Sequence, residues 1–175
     1  MSDAPFSHVL AVADIGPGGR SVRLVADEAQ CEAVARDLAL AAVVELDAAL
    51  HVTASRDRVV RVKGALAAKV RQTCVVTLDP VTNEVAEEID VTLVPAGVGD
   101  AALPPGDIGA EGDPPDVYSG GAIDLGAIVT EFLALGIDPY PKAPGAEFSP
   151  HIESEEPDED GPFSVLKGLG RGEGH

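Results

Sequence analysis

Val60-Arg61-Val62-Lys63-Gly64-Ala65-Leu66-Ala67-Ala68-Lys69-Val70-Arg71-Gln72-Thr73-Cys74-Val75-Val76-Thr77-Leu78 alternates between apolar and polar residues over most of its length. Its even positions are Val, Val, Gly, Leu, Ala, Val, Gln, Cys, Val and Leu. Its odd positions are Arg61, Lys63, Ala65, Ala67, Lys69, Arg71, Thr73, Val75 and Thr77. A period of two in an extended chain sends one set to a core and the other to solvent. A second run repeats the pattern up to residue 95, with Val85, Ile89, Val91 and Leu93 opposed to Glu84, Glu88, Asp90 and Thr92. Asp79-Pro80 and Thr82-Asn83 are turn formers, so the two runs read as antiparallel strands joined by a short loop.

The outward set is cationic. Arg56, Arg58, Arg61, Lys63, Lys69 and Arg71 are half of the twelve Lys and Arg residues, and only Asp57 opposes them within residues 56–71. In one unbroken register Arg61, Lys63, Lys69 and Arg71 share a face; a bulge at Gly64 would split them. Two readings stay open. The six cations either keep a sheet face soluble or form a strip that touches phosphates of a nucleic acid. The second reading requires that neighbouring carboxylates leave the strip its charge.

Working outward, residues 6–13 are apolar and strand-like. They run into Asp14-Ile15-Gly16-Pro17-Gly18-Gly19, which reads as a wide hairpin turn returning through residues 20–25. Asp27 and Gln30 make a capping box, and Cys31, Val34, Leu38 and Ala41 follow at helical spacing as a buried stripe. From Val44 the period returns to two, with Val44, Leu46, Ala48, Leu50 and Val52 inward and His51 outward. Residues 96–119 have no basic residue and many Gly, Pro and Asp, as expected of an acidic loop. Residues 122–136 read as a helix capped by Asp124, with Leu125, Ile128, Val129, Phe132 and Leu135 on its apolar face. Asp138-Pro139-Tyr140-Pro141-Lys142-Ala143-Pro144-Gly145 is an extended, proline-stiffened segment. Residues 153–160 hold six acidic residues among eight and read as a solvated tail. Beyond them Pro162-Phe163-Ser164-Val165-Leu166-Lys167-Gly168-Leu169 is an apolar island, with Pro162, Phe163, Val165, Leu166 and Leu169 as partner-binding candidates.

The expected fold class is α+β, a mostly antiparallel sheet or partly open barrel with two main helices. Residues 1–148 form one domain with its acidic loop at 96–119, and residues 149–175 form a flexible acidic tail. The 175 residues carry a formal net charge of -18. Such a molecule repels nucleic acid and anionic membranes at long range, so any RNA contact must be local or made through a partner. With no Trp and 3 % aromatic residues, base-stacking platforms are scarce. The longest uncharged apolar run, residues 38–44, is far short of a membrane span, and the N-terminus lacks signal-peptide features. A cytoplasmic protein with reduced thiols is expected. No nucleophile elbow, zincin motif, Walker loop or dinucleotide fingerprint is present, and His8, His51, His151 and His175 are scattered. No catalytic residue, cofactor or small-molecule substrate is therefore expected.

Four pieces, in order, resemble one family: residues 62–95 with Gly64 and Gln72-Thr73-Cys74-Val75-Val76-Thr77-Leu78-Asp79-Pro80-Val81; Ile123-Asp124-Leu125-Gly126 leading to Glu131; residues 138–145; and residues 162–169. The chain resembles the YceD family of large ribosomal RNA subunit accumulation proteins, in its alphaproteobacterial form. The resemblance implies a bacterial, non-enzymatic role in ribosome biogenesis, with ribosomal RNA or the pre-ribosomal particle as partner. The alternative is an acidic adaptor for a basic ribosomal protein or an RNA-processing enzyme. Some relatives carry further cysteines near the central strand and the later Pro-rich segment, suggesting a metal site there. Here only Cys74 remains, and residues 140–144 contain no cysteine. A tetrahedral zinc site needs four ligands, so no metal is expected.

Overall fold

The computed structural model describes residues 4–97 and 115–147. Seven strands and two helices follow in the order β1 (Val9–Ala11), β2 (Arg20–Val25), α1 (Glu28–Asp37), β3 (Ala42–Ala54), β4 (Val60–Thr73), β5 (Pro80–Pro95), β6 (Asp116–Tyr118), β7 (Ala122–Asp124) and α2 (Leu125–Gly136). The architecture is α+β. Five strands lie in the order β2-β3-β4-β5-β6, antiparallel except for the parallel β5–β6 pair, while β1 and β7 form a separate two-stranded sheet. The five-stranded order ends on β2 and β6 without joining them, so the sheet is not a barrel.

The alternating stretch is the central strand. Inward-facing Val60, Val62, Leu66, Ala68 and Val70 of β4 join Val43, Leu46, Ala48, Leu50 and Val52 of β3 and Val85, Ile89 and Leu93 of β5 in one buried cluster. Both helices close over that face. α1 contributes Cys31, Val34 and Ala35, and α2 contributes Leu125, Ile128, Val129 and Leu133. The opposite face is left to water, as the polar half of the alternation requires.

Helix starts follow the capping chemistry. The Asp27 carboxylate accepts from the Gln30 amide at 2.8 Å, and the Gln30 side chain accepts from the Asp27 amide at 2.9 Å. At α2 the Asp124 carboxylate accepts from Gly126 N–H at 3.0 Å and Ala127 N–H at 3.2 Å. It also takes His8 N–H at 2.8 Å and the Ser7 hydroxyl at 2.7 Å. Burial works to raise its pKa. Hydrogen bonds, led by that from Ser7, outweigh it and hold the carboxyl below the usual carboxylate range.

Several expectations change. The Gly16–Gly19 region does not close a β1–β2 hairpin: β1 pairs with β7 and β2 with β3. A 3-10 turn over Val12–Asp14 redirects the chain between the two sheets. Gly64 lies in continuous register, and the irregularity falls on β3 between Val43 and Glu45. A Cβ at Gly64 would collide with the Ala49 carbonyl oxygen, so the glycine serves a close backbone approach. In α1 the buried stripe is Cys31, Val34 and Ala35, whereas Leu38 is half-buried and Ala41 exposed. The β4–β5 turn occupies residues 74–79, closed by Cys74 N–H to the Asp79 carbonyl at 2.8 Å; Thr82 and Asn83 belong to β5. Residues 122–124 are strand, α2 begins at Leu125, and Leu133 takes the buried place expected of Leu135.

Candidate functional site

Arg61, Lys63, Lys69 and Arg71 project from one face of β4, because the strand runs without a register break. At about 3.3 Å per residue the four cations stretch over roughly 33 Å. Arg56 and Arg58 stand apart from this row, in the turn that joins β3 to β4. There Ser55 N–H bonds the Val59 carbonyl at 2.9 Å, Arg58 N–H bonds the Ser55 carbonyl at 3.1 Å, and the Tyr118 hydroxyl donates to the Arg58 carbonyl at 2.7 Å.

The row is not left cationic. Register sets Asp90 directly opposite Lys63, and its carboxylate takes both the Arg61 guanidinium, at 2.9 and 3.0 Å, and the Lys63 ammonium at 3.2 Å. The Arg61 hydrogen bond, with help from Lys63, holds Asp90 below the usual carboxylate range against the opposing effect of desolvation. Lys69 faces Glu84 at 3.8 Å on one side and is in register with Glu45 on the other. On the edge, Arg23 pairs with Asp47 at 2.8 Å. Across the outer face of β2–β5 the count is five cations (Arg23, Arg61, Lys63, Lys69, Arg71) against five carboxylates (Glu45, Asp47, Glu84, Glu88, Asp90). Opposite charges at such distances on an exposed sheet screen one another before any phosphate arrives. The alternation announced where the cations would lie. It was silent on the strand partners, which only the register supplies.

At the other end of β4 the alternation carries no such signal. Cys74 has no solvent exposure, and its sulfur accepts from the amides of Val76 and Thr77 at 3.4 Å each and of Ala143 at 3.3 Å. Val75 N–H bonds the Pro141 carbonyl at 2.9 Å, and the buried Gln72 amide donates to the Asp138 carbonyl at 2.8 Å. Segment 138–143 is thus strapped across the end of β4 by three hydrogen bonds. Hydrogen bonding by the Thr77 side chain, then by the Ala143 and Thr77 amides, lowers the Cys74 thiol from 9.0 to about 6. Cys31 is the reverse case: burial, aided by Asp27, raises its pKa.

These surroundings do not fit a metal. Among the described residues no group of three or more His, Cys, Asp or Glu side chains converges to hold one. Cys74 brings a single thiol to this place, three ligands short of a tetrahedral zinc set among the described residues. The partner-binding candidates Pro162, Phe163, Val165, Leu166 and Leu169 lie outside the described residues, as does most of the expected acidic loop. Of that loop the structure shows β6, which pairs Val94 with Val117. Among the described residues no helix is long and apolar enough to cross a membrane.

No curated protein and no solved structure matches the chain. A family model does, over residues 62–170, which takes in most of the central strand, β5, the Cys74 turn and the strap. The matched region is well over half of the 175 residues, and the chain belongs to the family described as large ribosomal RNA subunit accumulation protein YceD.

Proposed function

We propose that this chain supports accumulation of the large ribosomal RNA subunit as a non-catalytic biogenesis factor, and that it works as an acidic adaptor for a basic protein of the particle or its processing machinery. The family supports the first half. The observation that carries the second is the five-against-five balance on the outer sheet face in a molecule of net charge -18. A cationic partner gains from that field at every distance, whereas an RNA must displace Asp90 and Glu84 to reach Arg61, Lys63 and Lys69.

Direct RNA contact by the strand face is the second reading, and one observation favours it. Arg71, at one end of the row, and Arg56 and Arg58, in the turn before β4, enter no ion pair among the described residues.

Affinity capture from growing bacteria, with and without ribonuclease treatment, separates the two. A complex that survives destruction of the RNA supports the adaptor, as does its loss when residues 153–175 are deleted. A complex that disappears with the RNA, and with Arg61, Lys63, Lys69 and Arg71 all changed to Glu in a folded chain, overturns it. RNA affinity falling by about one log-log slope unit in salt per phosphate contact would then count the contacts.

A further inference from the structure

Eight large apolar side chains stand exposed among the described residues, and three of them lie on the turn and strap at one end of β4. Val75 (41 % exposed) and Leu78 (76 %) sit in the turn after β4, and Tyr140 (71 %) in the strap. The backbone beneath them is fixed, since Val75 is bonded to Pro141 and Cys74 to Ala143. Leu78 adopts φ 63°, a left-handed conformation in which a leucine is strained and Gly or Asn is at ease. Holding a leucine there costs backbone strain and forgoes the gain of burial, and strain of that kind points to use of the side chain. An apolar knob on an otherwise charged molecule marks a contact surface.

The chain itself offers an occupant. The described fold ends at Glu147, four residues after Ala143 joins the knob. Residues 148–161 then lead to the apolar island at 162–169, a linker that reaches about 46 Å when extended. A tether of this length holds the island at an effective concentration in the millimolar range, enough for a small apolar contact to close. Charge favours the same placement. The linker carries the acidic run 153–160, and Arg71 and Lys142, exposed beside the knob, enter no ion pair among the described residues. The family match covers both the residues of the knob and the island, running over residues 62–170.

We propose that segment 162–169 of the same chain docks on the apolar knob made by Val75, Leu78 and Tyr140, with the acidic linker drawn over Arg71 and Lys142. This contact stands whether the external partner is a protein or an RNA.

The test uses the full chain with a nitroxide on Ser164→Cys, the native thiols being buried. The expected result is loss of the Leu78, Val75 and Tyr140 resonances, their recovery on reduction of the label, and their return when Phe163 and Leu166 are both changed to Asp. Undiminished resonances overturn the proposal. So does broadening that appears only between separate labelled and unlabelled chains, which would make a second copy the occupant. As an independent measurement, Leu78→Asn suits the local φ and keeps the fold. It should speed proteolysis within residues 162–169 by about tenfold or more, as release of a protected segment does; an unchanged rate also overturns the assignment.

Discussion

The two turns that bound β4 are built alike and dressed differently. Each contains one residue at positive φ, Arg58 at 60° and Leu78 at 63°. Each is fastened by a later part of the chain, the first by the Tyr118 hydroxyl on the Arg58 carbonyl and the second by Ala143 on the Cys74 sulfur. One end shows guanidinium groups to water; the other shows Val75 and Leu78. An arginine in a strained turn keeps its hydration, so its cost is local backbone strain alone. A leucine there also forgoes the gain of burial, about 25 cal/mol per Å² of apolar surface. The difference teaches that the strand separates two kinds of contact surface, an electrostatic end and an apolar one, and that only the second asks for a cover.

The largest effect comes from breaking the strand between them. Gly64→Ala drives a methyl into the Ala49 carbonyl and should cost about 3 kcal/mol in a denaturant titration; a loss near zero would show that β3 yields without strain. Next, Tyr118→Phe frees only the cationic turn. It should cost about 1 kcal/mol and raise amide exchange at residues 55–59 while leaving residues 74–79 unchanged.

The apolar turn answers to pH instead. The folded chain favours the Cys74 thiolate, with its pKa at about 6 against an ordinary 9.0. Fastening by Cys74 is therefore fully present above pH 9, weakens as the pH falls through this window, and is lost below about 6. Exchange of the Ala143 amide, corrected for its intrinsic base catalysis, should slow as pH rises from 6 to 9, and Cys74→Ser should flatten the profile.

The smallest effect on stability belongs to the ladder. Asp90→Asn leaves Arg61 and Lys63 without their shared carboxylate, yet exposed pairs of this type contribute under about 1 kcal/mol. Its value is as a probe of charge. If the strand face meets phosphates, RNA binding should tighten and its salt slope steepen by about one, and an unaltered slope speaks for the adaptor.

What the sequence disclosed depends on how local the cause is. β4 and β5 were legible because their alternation runs far longer than chance, and the capping box at Asp27 because its partner is three residues away. The irregularity between Val43 and Glu45 was hidden, since Val43 and Val44 are both apolar and either parity fits. Leu135 and Leu133 could exchange roles on paper; the packing of α2 against β5 chose Leu133. The cationic row was visible, but its neutralisation by Asp90 and Glu84 was not. That requires knowing that the turn spans residues 74–79, which sets Lys63 against Asp90 and Lys69 against Glu84. The strap on Cys74 joins residues 69 positions apart, beyond any periodicity.

The parallel pairing of β6 with β5 has an architectural consequence. β5 ends at Pro95, and β6 begins at Asp116 in register with Leu93, so residues 96–115 leave and re-enter the sheet at neighbouring points. A span that starts and finishes almost at the same place is free to lengthen: doubling it adds only about 0.6 kcal/mol of closure entropy. This is where lineages can splice in new sequence, or an engineer can insert a reporter or open the ring of a permuted chain, without disturbing a single rung of the ladder.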